Sequence, residues 1–274
     1  MRLDEQHADA VALELVSAAL EAGRLLRDLQ RVVTERRRKA DGTPSTDADL
    51  AAESLILGRL RKQWAEIPIV AEETANAERP SEHFFLVDPL DGTSDYLHGT
   101  GEYTVNIALI RNGRPIAAVV SAPAMGRIWM AGESSTRTGT IPDGADIAWQ
   151  PARVRPAPEK DLVALMSRRH GDQATEVCLS SLSIGTRRTA SSALKFCLIA
   201  SGEADVYVRC GPTMEWDTAA GDHVLSRAGG CVIDPRGKPL TYGHDERGYR
   251  NGPFAALGDP ALAPRLALPV SAGG

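Results

Sequence analysis

Apolar residues recur at helical spacing near the start of the chain and predict a long amphipathic helix. Their positions are Val11, Leu15, Ala18, Ala19, Ala22, Leu25, Leu26 and Leu29. A second helix is predicted from Asp49 to about Trp64, with Thr46 and Asp47 as candidate capping residues. Its apolar face is predicted to comprise Leu50, Leu55, Ile56 and Leu60. The first part of the chain therefore supplies two helices that need an apolar surface to cover.

From Phe84 to Ala131 the pattern changes to short apolar runs broken by turns, which is typical of strands. The runs are residues 84–87, 104–111, 115–122 and 127–131. The Asn112-Gly113 pair between two of them is a strong hairpin signal, so those strands should be antiparallel. Residues 132–158 are rich in Gly, Pro, Ser, Thr and Ala, and we interpret them as the connection between two halves.

The second half alternates between the two patterns. Strands predicted at residues 162–166 and 204–208 are interspersed with helical patterns at residues 175–182, 193–200 and 218–228. Two helices on an antiparallel sheet, followed by βα alternation, predict an α+β subdomain joined to an α/β subdomain. We place the subdomains at residues 1–140 and 141–274, a length that suffices for two halves with a buried core.

Composition excludes several classes of protein. Hydrophobic content of 43% and charged content of 24% are ordinary for a globular protein. A net charge of -5 disfavours a general binder of nucleic acid or acidic membranes. The first residues are acidic where a signal peptide would be basic, and no apolar run is long enough to span a membrane. We therefore expect a cytoplasmic protein whose four cysteines are reduced thiols.

Residues 88–93, Asp-Pro-Leu-Asp-Gly-Thr, are the most informative motif of the chain. They follow the apolar run at residues 84–87, so Asp88 and Asp91 lie at a strand end, and Pro89 fixes the turn between them. Hard cations such as Mg²⁺ prefer oxygen ligands of this kind. Gly92 leaves room for an anion beside the main-chain amides. The alternative is a surface turn with two solvated acids.

Two further acidic motifs also end apolar segments. Glu72 and Glu73 follow residues 69–71, and Asp217 opens a helical pattern. Alone, the first would be a solvated helix start and the second an ordinary capping aspartate. Three such motifs together are better explained by one cation cluster.

These motifs resemble the inositol monophosphatase superfamily of Mg²⁺-dependent, lithium-sensitive phosphatases. Its hallmarks are D-P-[LI]-D-G-T and, far downstream, W-D-x-A-A-G, and the similarity extends from about Lys39 to Phe254. Residues 101–110, 194–200 and 211–217 are similar to the branch of CysQ-type 3'(2'),5'-bisphosphate nucleotidases. The resemblance implies a layered αβαβα sandwich with the active site between the halves.

The resemblance also implies a ligand set for two or three Mg²⁺ ions, with Mn²⁺ as a possible substitute. The first ion would be bound by Glu72, Asp88 and the Leu90 carbonyl, and the second by Asp88, Asp91 and Asp217. A third, weaker site would use Glu72 and mostly water.

Thr93 would orient the attacking water and hand its own proton to Asp49. The structural alternatives are a helix-capping threonine and a first-turn acid favoured by the helix dipole.

The residues implied in substrate binding are Gly92, Thr93, Ser167, His170, Ser191, Lys195 and Asp217. The chain departs from the branch pattern in two places: Ser191 or Ala190 replaces a glycine, and Ser94 replaces a lysine. Arg168 and Arg169 either contact the ligand or belong to a basic surface loop.

The implied reaction is hydrolysis of adenosine 3',5'-bisphosphate, and possibly of its sulfated form, by water, as part of sulfur assimilation. The alternatives are an inositol-phosphate or sugar-phosphate phosphatase and a catalytically silent metal-dependent ligand-binding protein. In each case the partner is a small phosphorylated metabolite, and a homodimer is left open.

Overall fold

The computed structural model of the chain describes residues 8–31, 36–38, 44–75, 78–141, 146–168 and 171–270. Its helices are α1 (Ala8–Gln30), α2 (Asp47–Gln63), α3 (Thr93–His98), α4 (Gln173–Leu179), α5 (Leu194–Ala200) and α6 (Glu215–Arg227). Strands β1 to β8 are Arg36–Arg38, Pro44–Thr46, Ile69–Ala71, His83–Asp91, Thr104–Arg111, Arg114–Ala122, Arg127–Ala131 and Thr136–Thr140. Strands β9 to β16 are Ala148–Pro151, Leu162–Ser167, Ile184–Ala190, Val206–Arg209, Thr213–Met214, Cys231–Ile233, Arg250–Asn251 and Phe254–Leu257. The 3₁₀ turns are Glu72–Thr74, Pro123–Met125, Asp245–Arg247 and Pro260–Arg265.

The larger sheet of the described chain runs in the order β3-β4-β5-β6-β7-β8-β9. Strands β3 and β4 are parallel, and the other neighbours are antiparallel. Asn112 and Gly113, between β5 and β6, have φ angles of 50° and 73°. Positive φ at both central residues is the signature of a type I′ turn, whose twist matches that of the strands. The predicted hairpin is confirmed.

The second sheet runs β11-β10-β12-β16-β14. Strands β11, β10 and β12 are parallel, whereas β16 and β14 pair antiparallel. The predicted strands at residues 162–166 and 204–208 correspond to β10 and β12. Strands β11, β14 and β16 were not predicted, because each has little strand signal in its sequence. Strand β11 consists mostly of exposed polar residues, β14 has only three residues, and β16 has two alanines at its centre.

Five layers alternate between helices and sheets, which confirms the predicted αβαβα sandwich. Helices α1 and α2 cover one face of the larger sheet, and α5 and α6 lie between the two sheets. Helix α4 and the tail cover the outer face of the smaller sheet. Strand β4 shows why its sequence is continuously apolar: Phe85 and Val87 pack towards α1 and α2, whereas Phe84 and Leu86 pack towards α5 and α6.

Helix α2 begins at Asp47, two residues earlier than predicted, because Thr46 is its N-cap and accepts a hydrogen bond from the Ala48 amide (3.1 Å). The predicted apolar face is wrong at Leu50, which is 42% exposed. Ala48 and Ala52 are buried in its place, since small residues allow α1 to approach closely.

The interpretation of residues 132–158 as a connection is wrong for two segments, because β8 and β9 extend the larger sheet there. Their Thr, Gly, Arg and Gln content shows no clear apolar alternation. The boundary at residue 140 stays a prediction, although β9 lies beyond it and pairs with β8.

All four cysteines, Cys178, Cys197, Cys210 and Cys231, are free thiols. The Sγ atoms of Cys178 and Cys210 lie 3.7 Å apart. Among the described residues, no helix combines the length and apolar character required to cross a bilayer.

His223 attaches α6 to the larger sheet, and its environment predicts a pH-dependent stability. The imidazole is buried, and its Nε2 lies 3.0 Å from the Gly132 carbonyl oxygen, to which it donates. Burial, reinforced by the charge of Arg227, lowers the pKa of His223 from an ordinary value of 6.5 to about 4. Folding therefore favours the neutral ring, so its stabilisation is complete above pH 6.5 and is lost as the pH falls towards 4.

We expect His223→Gln, which keeps a donor but cannot titrate, to remove part of the acid sensitivity. Between neutral pH and pH of about 5, wild type should lose roughly 2 kcal/mol more unfolding free energy than the variant. Urea denaturation of both proteins at the two pH values measures the difference. Equal losses would show that His223 titrates normally in the fold.

Candidate active site

The 88–93 motif ends strand β4 in an irregular turn. The pairing of β4 with β5 shifts register between Asp88 and Asp91, and the Leu90 amide donates to Asp88 Oδ1 at 3.0 Å. Gly92 then adopts a φ of 91°, and a Cβ there would collide with the Ser192 hydroxyl. Only glycine fits this position without strain, because it must both turn the chain and admit a close neighbour.

Two other elements bring acids to this turn. Strand β3 is parallel to β4 with Ala71 opposite Val87, so Glu72 follows β3 where Asp88 follows Val87. Asp217 lies in the first turn of α6, where it accepts a hydrogen bond from the Met214 amide at 2.9 Å. The carboxyl groups of Glu72, Asp91 and Asp217 lie near enough to Asp88 for their charges to act on it. The structure thus brings together acids from three distant segments.

Burial and mutual repulsion dominate the electrostatics of this cluster. Burial raises the pKa of Asp88 well above its usual value, and the charges of Glu72, Asp91 and Asp217 add to the shift. The pKa of Asp217 is raised well above its usual value by burial and then by Asp91 and Glu72. Burial also raises the pKa of Asp91, although the Lys195 charge opposes that shift. Without a cation, both burial and mutual repulsion oppose full ionisation of Asp88 and Asp217.

The donor set fits a hard divalent cation. Its side chains offer only carboxylate oxygens, with the Leu90 carbonyl beside them, and a cation would relieve their repulsion. In the described part of the chain, no three acidic, histidine or cysteine side chains already form a ligand cluster. Because carboxylate ligands must be deprotonated, binding of a cation would release any proton that these acids hold.

Asp49 and Thr93, which the family resemblance implied as partners, are in direct contact. Thr93 Oγ1 donates to Asp49 Oδ1 at 2.9 Å, and the Leu90 carbonyl oxygen lies 3.2 Å from the same hydroxyl. Asp49 Oδ2 accepts from the amide and hydroxyl of Thr46 at 2.8 and 2.7 Å, which makes it part of a capping box. Burial raises the pKa of Asp49 despite these hydrogen bonds. Asp49 therefore caps α2 and also holds Thr93.

Comparison with known proteins identifies the family of the chain. The model of the inositol monophosphatase family matches residues 4–266. The chain belongs to this family. It is 40% identical over 207 residues to the 3'(2'),5'-bisphosphate nucleotidase CysQ of Escherichia coli K12, covering 74% of this chain and 81% of that protein. The CysQ of Haemophilus influenzae is 28% identical over 254 residues, covering 91% and 93% of the two chains.

Solved structures of the family share the fold. CysQ from Bacteroides thetaiotaomicron superposes with a TM-score of 0.74 at 29% identity, covering 90% of this chain and 97% of that chain. An inositol monophosphatase from Thermotoga maritima gives a TM-score of 0.75 at 21% identity, covering 91% and 92%. The second similarity extends to the fold alone.

Ser191 and Lys195, which the family resemblance implied in substrate binding, belong to a segment that contacts Asp91 closely. Ser192 has a φ of 61° and donates from its hydroxyl to the Asp91 carbonyl oxygen at 2.9 Å, while the Ala193 amide donates to Asp91 Oδ2 at 2.7 Å. The buried Lys195 ammonium donates to the carbonyl oxygens of Ser192 (2.8 Å) and Ala190 (3.3 Å). Burial lowers the pKa of Lys195 to about 8, although Asp91 opposes the shift.

Ser191 and Arg168 belong to a polar network beside this segment. The Ser191 hydroxyl donates to Asp95 Oδ2 at 2.8 Å, and the Ser191 amide donates to Glu102 Oε2 at 3.0 Å. Arg168 also binds Glu102 at 2.8 Å and lies 3.6 Å from Asp95. Arg168 is exposed at the surface while it makes these ion pairs, and its contact with a ligand stays a prediction. Its ion pairs connect the end of β10 to the loop after α3.

Ser167 ends β10, is half-buried and accepts a hydrogen bond from Arg209 at 3.4 Å. Arg169 and His170 lie outside the described residues, so the predicted ligand contact of His170 stays a prediction. Arg209, which was not predicted, also donates to the Pro212 carbonyl oxygen at 2.8 Å. It thereby links Ser167 to the segment that leads into Asp217.

Sequence reasoning missed two other polar residues of the site. Asn106, opposite Asp88 in the β4–β5 pair, donates to Asp91 Oδ2 at 3.3 Å. Glu53 is buried on α2 and accepts hydrogen bonds at 2.8 Å from the Glu73 amide and the Thr74 hydroxyl. An asparagine inside an apolar strand, and an acid four residues after Asp49 on one helix face, were the available signals.

Glu53 holds the 3₁₀ turn that carries Glu72, so its loss should weaken metal binding without touching a proposed ligand. We expect Glu53→Ala to raise the half-saturating Mg²⁺ concentration by about tenfold, the usual effect of removing a residue that orients a metal ligand. Glu53→Gln, which keeps one acceptor oxygen, should give a smaller change. Activity and the Mg²⁺-induced rise in unfolding temperature are measured as functions of Mg²⁺. The exposed Glu66→Ala is the control, and an unchanged Mg²⁺ requirement in Glu53→Ala would refute the role.

Proposed function

We propose that the chain is a Mg²⁺-dependent phosphatase that removes the 3'-phosphate of adenosine 3',5'-bisphosphate to give AMP. The observation that carries the proposal is the group of Glu72, Asp91 and Asp217 around the buried Asp88, beside the Thr93–Asp49 contact. The names of the CysQ relatives support the choice of a bisphosphate nucleotide. A sulfated analogue of the same nucleotide is the proposed second substrate, and the cytoplasm is the proposed location.

Hydrolysis of a phosphate monoester is slow because the dianion repels nucleophiles and the leaving alkoxide is poor. The residues proposed to hold Mg²⁺ are Glu72, Asp88, Asp91, Asp217 and the carbonyl of Leu90. When bound, Mg²⁺ would supply positive charge to the phosphoryl group and to the leaving oxygen. The role of the protein is to hold these oxygen donors together against their own repulsion, which Asn106 and the Ala193 amide do for Asp91.

Thr93 and Asp49 are proposed to position the attacking water. Because the Thr93 hydroxyl donates its proton to Asp49 Oδ1, its oxygen lone pairs are directed elsewhere and can accept a hydrogen bond from water. Asp49 keeps this orientation because Thr46 holds its other oxygen. Gly92 is proposed to bring the main-chain amides close to the phosphate, since it has no side chain to obstruct that approach.

A second candidate is a phosphatase of inositol phosphates or related sugar phosphates. The buried Lys195 ammonium favours it, because carbonyl oxygens already accept its hydrogen bonds and a second phosphate would have to displace them. Serine at position 94 removes another cation of the nucleotidase pattern. Every position that the family pattern assigns to an acidic metal ligand carries an acid in this chain, which argues against a catalytically silent protein. Assembly as a homodimer stays a prediction.

A substrate panel distinguishes these candidates. We expect kcat/KM for adenosine 3',5'-bisphosphate to exceed that for inositol 1-phosphate and 5'-AMP by at least about tenfold, because nucleoside contacts contribute binding energy that a bare ring cannot. Phosphate release is measured with each substrate in Mg²⁺, in Mn²⁺ and after exhaustive chelation. Equal kcat/KM values would favour the sugar-phosphate candidate. Full activity after chelation would exclude the metal-dependent reaction altogether.

Asp88 and Glu73 offer an isosteric comparison within the site. We expect Asp88→Asn to reduce kcat at least about a hundredfold, since Asp88 is proposed to contact two ions. Glu73→Gln should cost less than about tenfold, because Glu73 matches no ligand position. Thermal unfolding without metal is the folding control: Asp88→Asn removes a repelled charge and should not lower the unfolding temperature. Similar kinetic losses in both variants would mean that the ligand assignment of the Glu72-Glu73 pair is wrong.

A further inference from the structure

An open cavity of about 600 Å³ lies at the C-terminal half of α1, apart from the carboxylate cluster. Arg24, Arg27 and Arg31 line it with a single acid, Asp28. Spacings of three and four residues place the arginines on one face of the helix, where like charges repel each other. A concentration of positive charge on a chain of net charge -5 calls for an anionic ligand.

The walls of this cavity are built to a fixed geometry. Gly23 allows α1 to approach Pro123 so closely that a Cβ would lie 2.9 Å from the proline ring. Arg27 Nη1 donates to the Pro123 carbonyl oxygen at 3.1 Å, and the Ile141 amide donates to the Gly126 carbonyl oxygen at 2.7 Å. Helix α1, the 3₁₀ turn after β6 and the residue after β8 are therefore joined at the cavity. Such rigidity reduces the entropy lost on binding.

The arginines remain available to a ligand. Arg27 uses one of its five donors on Pro123. Within the described ranges, Arg31 makes only a solvent-exposed pair with Asp28 at 3.9 Å. Among the described residues, no ion pair or hydrogen bond involves the exposed Arg24 guanidinium. Placement near a helix C-terminus stabilises cations, but that effect fades within the last turn and does not reach Arg24.

We propose that this cavity is a binding site for a small polyphosphorylated molecule. Arg24 and Arg31 are separated by about 10 Å along the helix axis, too far for one phosphate to contact both closely, so a diphosphate or triphosphate chain is the better match. Guanidinium groups bind phosphate oxygens through paired donors. Met125, 39% exposed at the rim, offers an apolar contact to a base or ring attached to that chain.

Inorganic tripolyphosphate is the probe, and calorimetric titration of the Mg²⁺-free Asp88→Asn protein measures its binding. We expect Arg24→Ala/Arg31→Ala to weaken binding by about tenfold or more, and the corresponding double lysine variant, which keeps the charge, to weaken it less. Arg187→Ala/Arg247→Ala removes the same charge from exposed positions outside the cavity and should change the affinity less than threefold or so. Titration with ADP tests the contribution of the attached nucleoside.

Three results would overturn the proposal: no binding at millimolar tripolyphosphate, equal affinity in the parent and Arg24→Ala/Arg31→Ala, or equal weakening in the control pair. Unfolding temperatures check that every variant is folded. The measurement uses neither turnover nor Mg²⁺. A negative binding result would therefore not contradict the proposed phosphatase activity. Absence of phosphatase activity would likewise not contradict the proposed polyphosphate site.

Discussion

Asp88, Asp91 and Asp217 hold their carboxyl groups close together, Asp88 buried and the other two partly exposed, and the surrounding elements must resist the resulting repulsion. Strand β4 supplies two of them and α6 the third, so both elements need rigid support. That support comes from packing: β4 is buried on both faces, and α6 is enclosed between the sheets. The packing of the apolar layers thus holds the three carboxyl groups together against their mutual repulsion. A bound cation would attract all three and offset that repulsion.

A second tier of polar contacts orients the acids. Glu53 holds the turn after β3, Asn106 and the Ala193 amide hold Asp91, and the Met214 amide holds Asp217. Apart from Met214, which precedes Asp217 by three residues, each contact comes from a different part of the chain from the acid it orients. The geometry of the site is therefore a property of the complete sandwich, and residues far from the phosphate can alter metal affinity through these contacts.

Strong local signals made part of this fold predictable. Strand β5 has the bounds predicted from its apolar run. The Asn112-Gly113 pair predicted the hairpin, because few other residue pairs adopt two successive positive φ angles. Strands β8 and β16 carry no such signal, since their place depends on neighbouring strands. The acidic motifs were recognisable one by one. To predict that the acids meet, one has to know that β3 pairs in parallel with β4. To predict the role of Glu53, one has to know which residues face α2.

The enclosure of α6 between the sheets also has a consequence for biosynthesis. The larger sheet is made from residues 69–151, and α1 and α2, which precede it in the chain, can cover one of its faces as soon as it forms. The other face, with Phe84, Leu86 and Trp129, is covered only by α5 and α6, which leave the ribosome much later. A nascent chain thus carries an uncovered apolar surface for some seconds at ordinary elongation rates. A chaperone that shields apolar surfaces during translation would bind this uncovered face of the sheet.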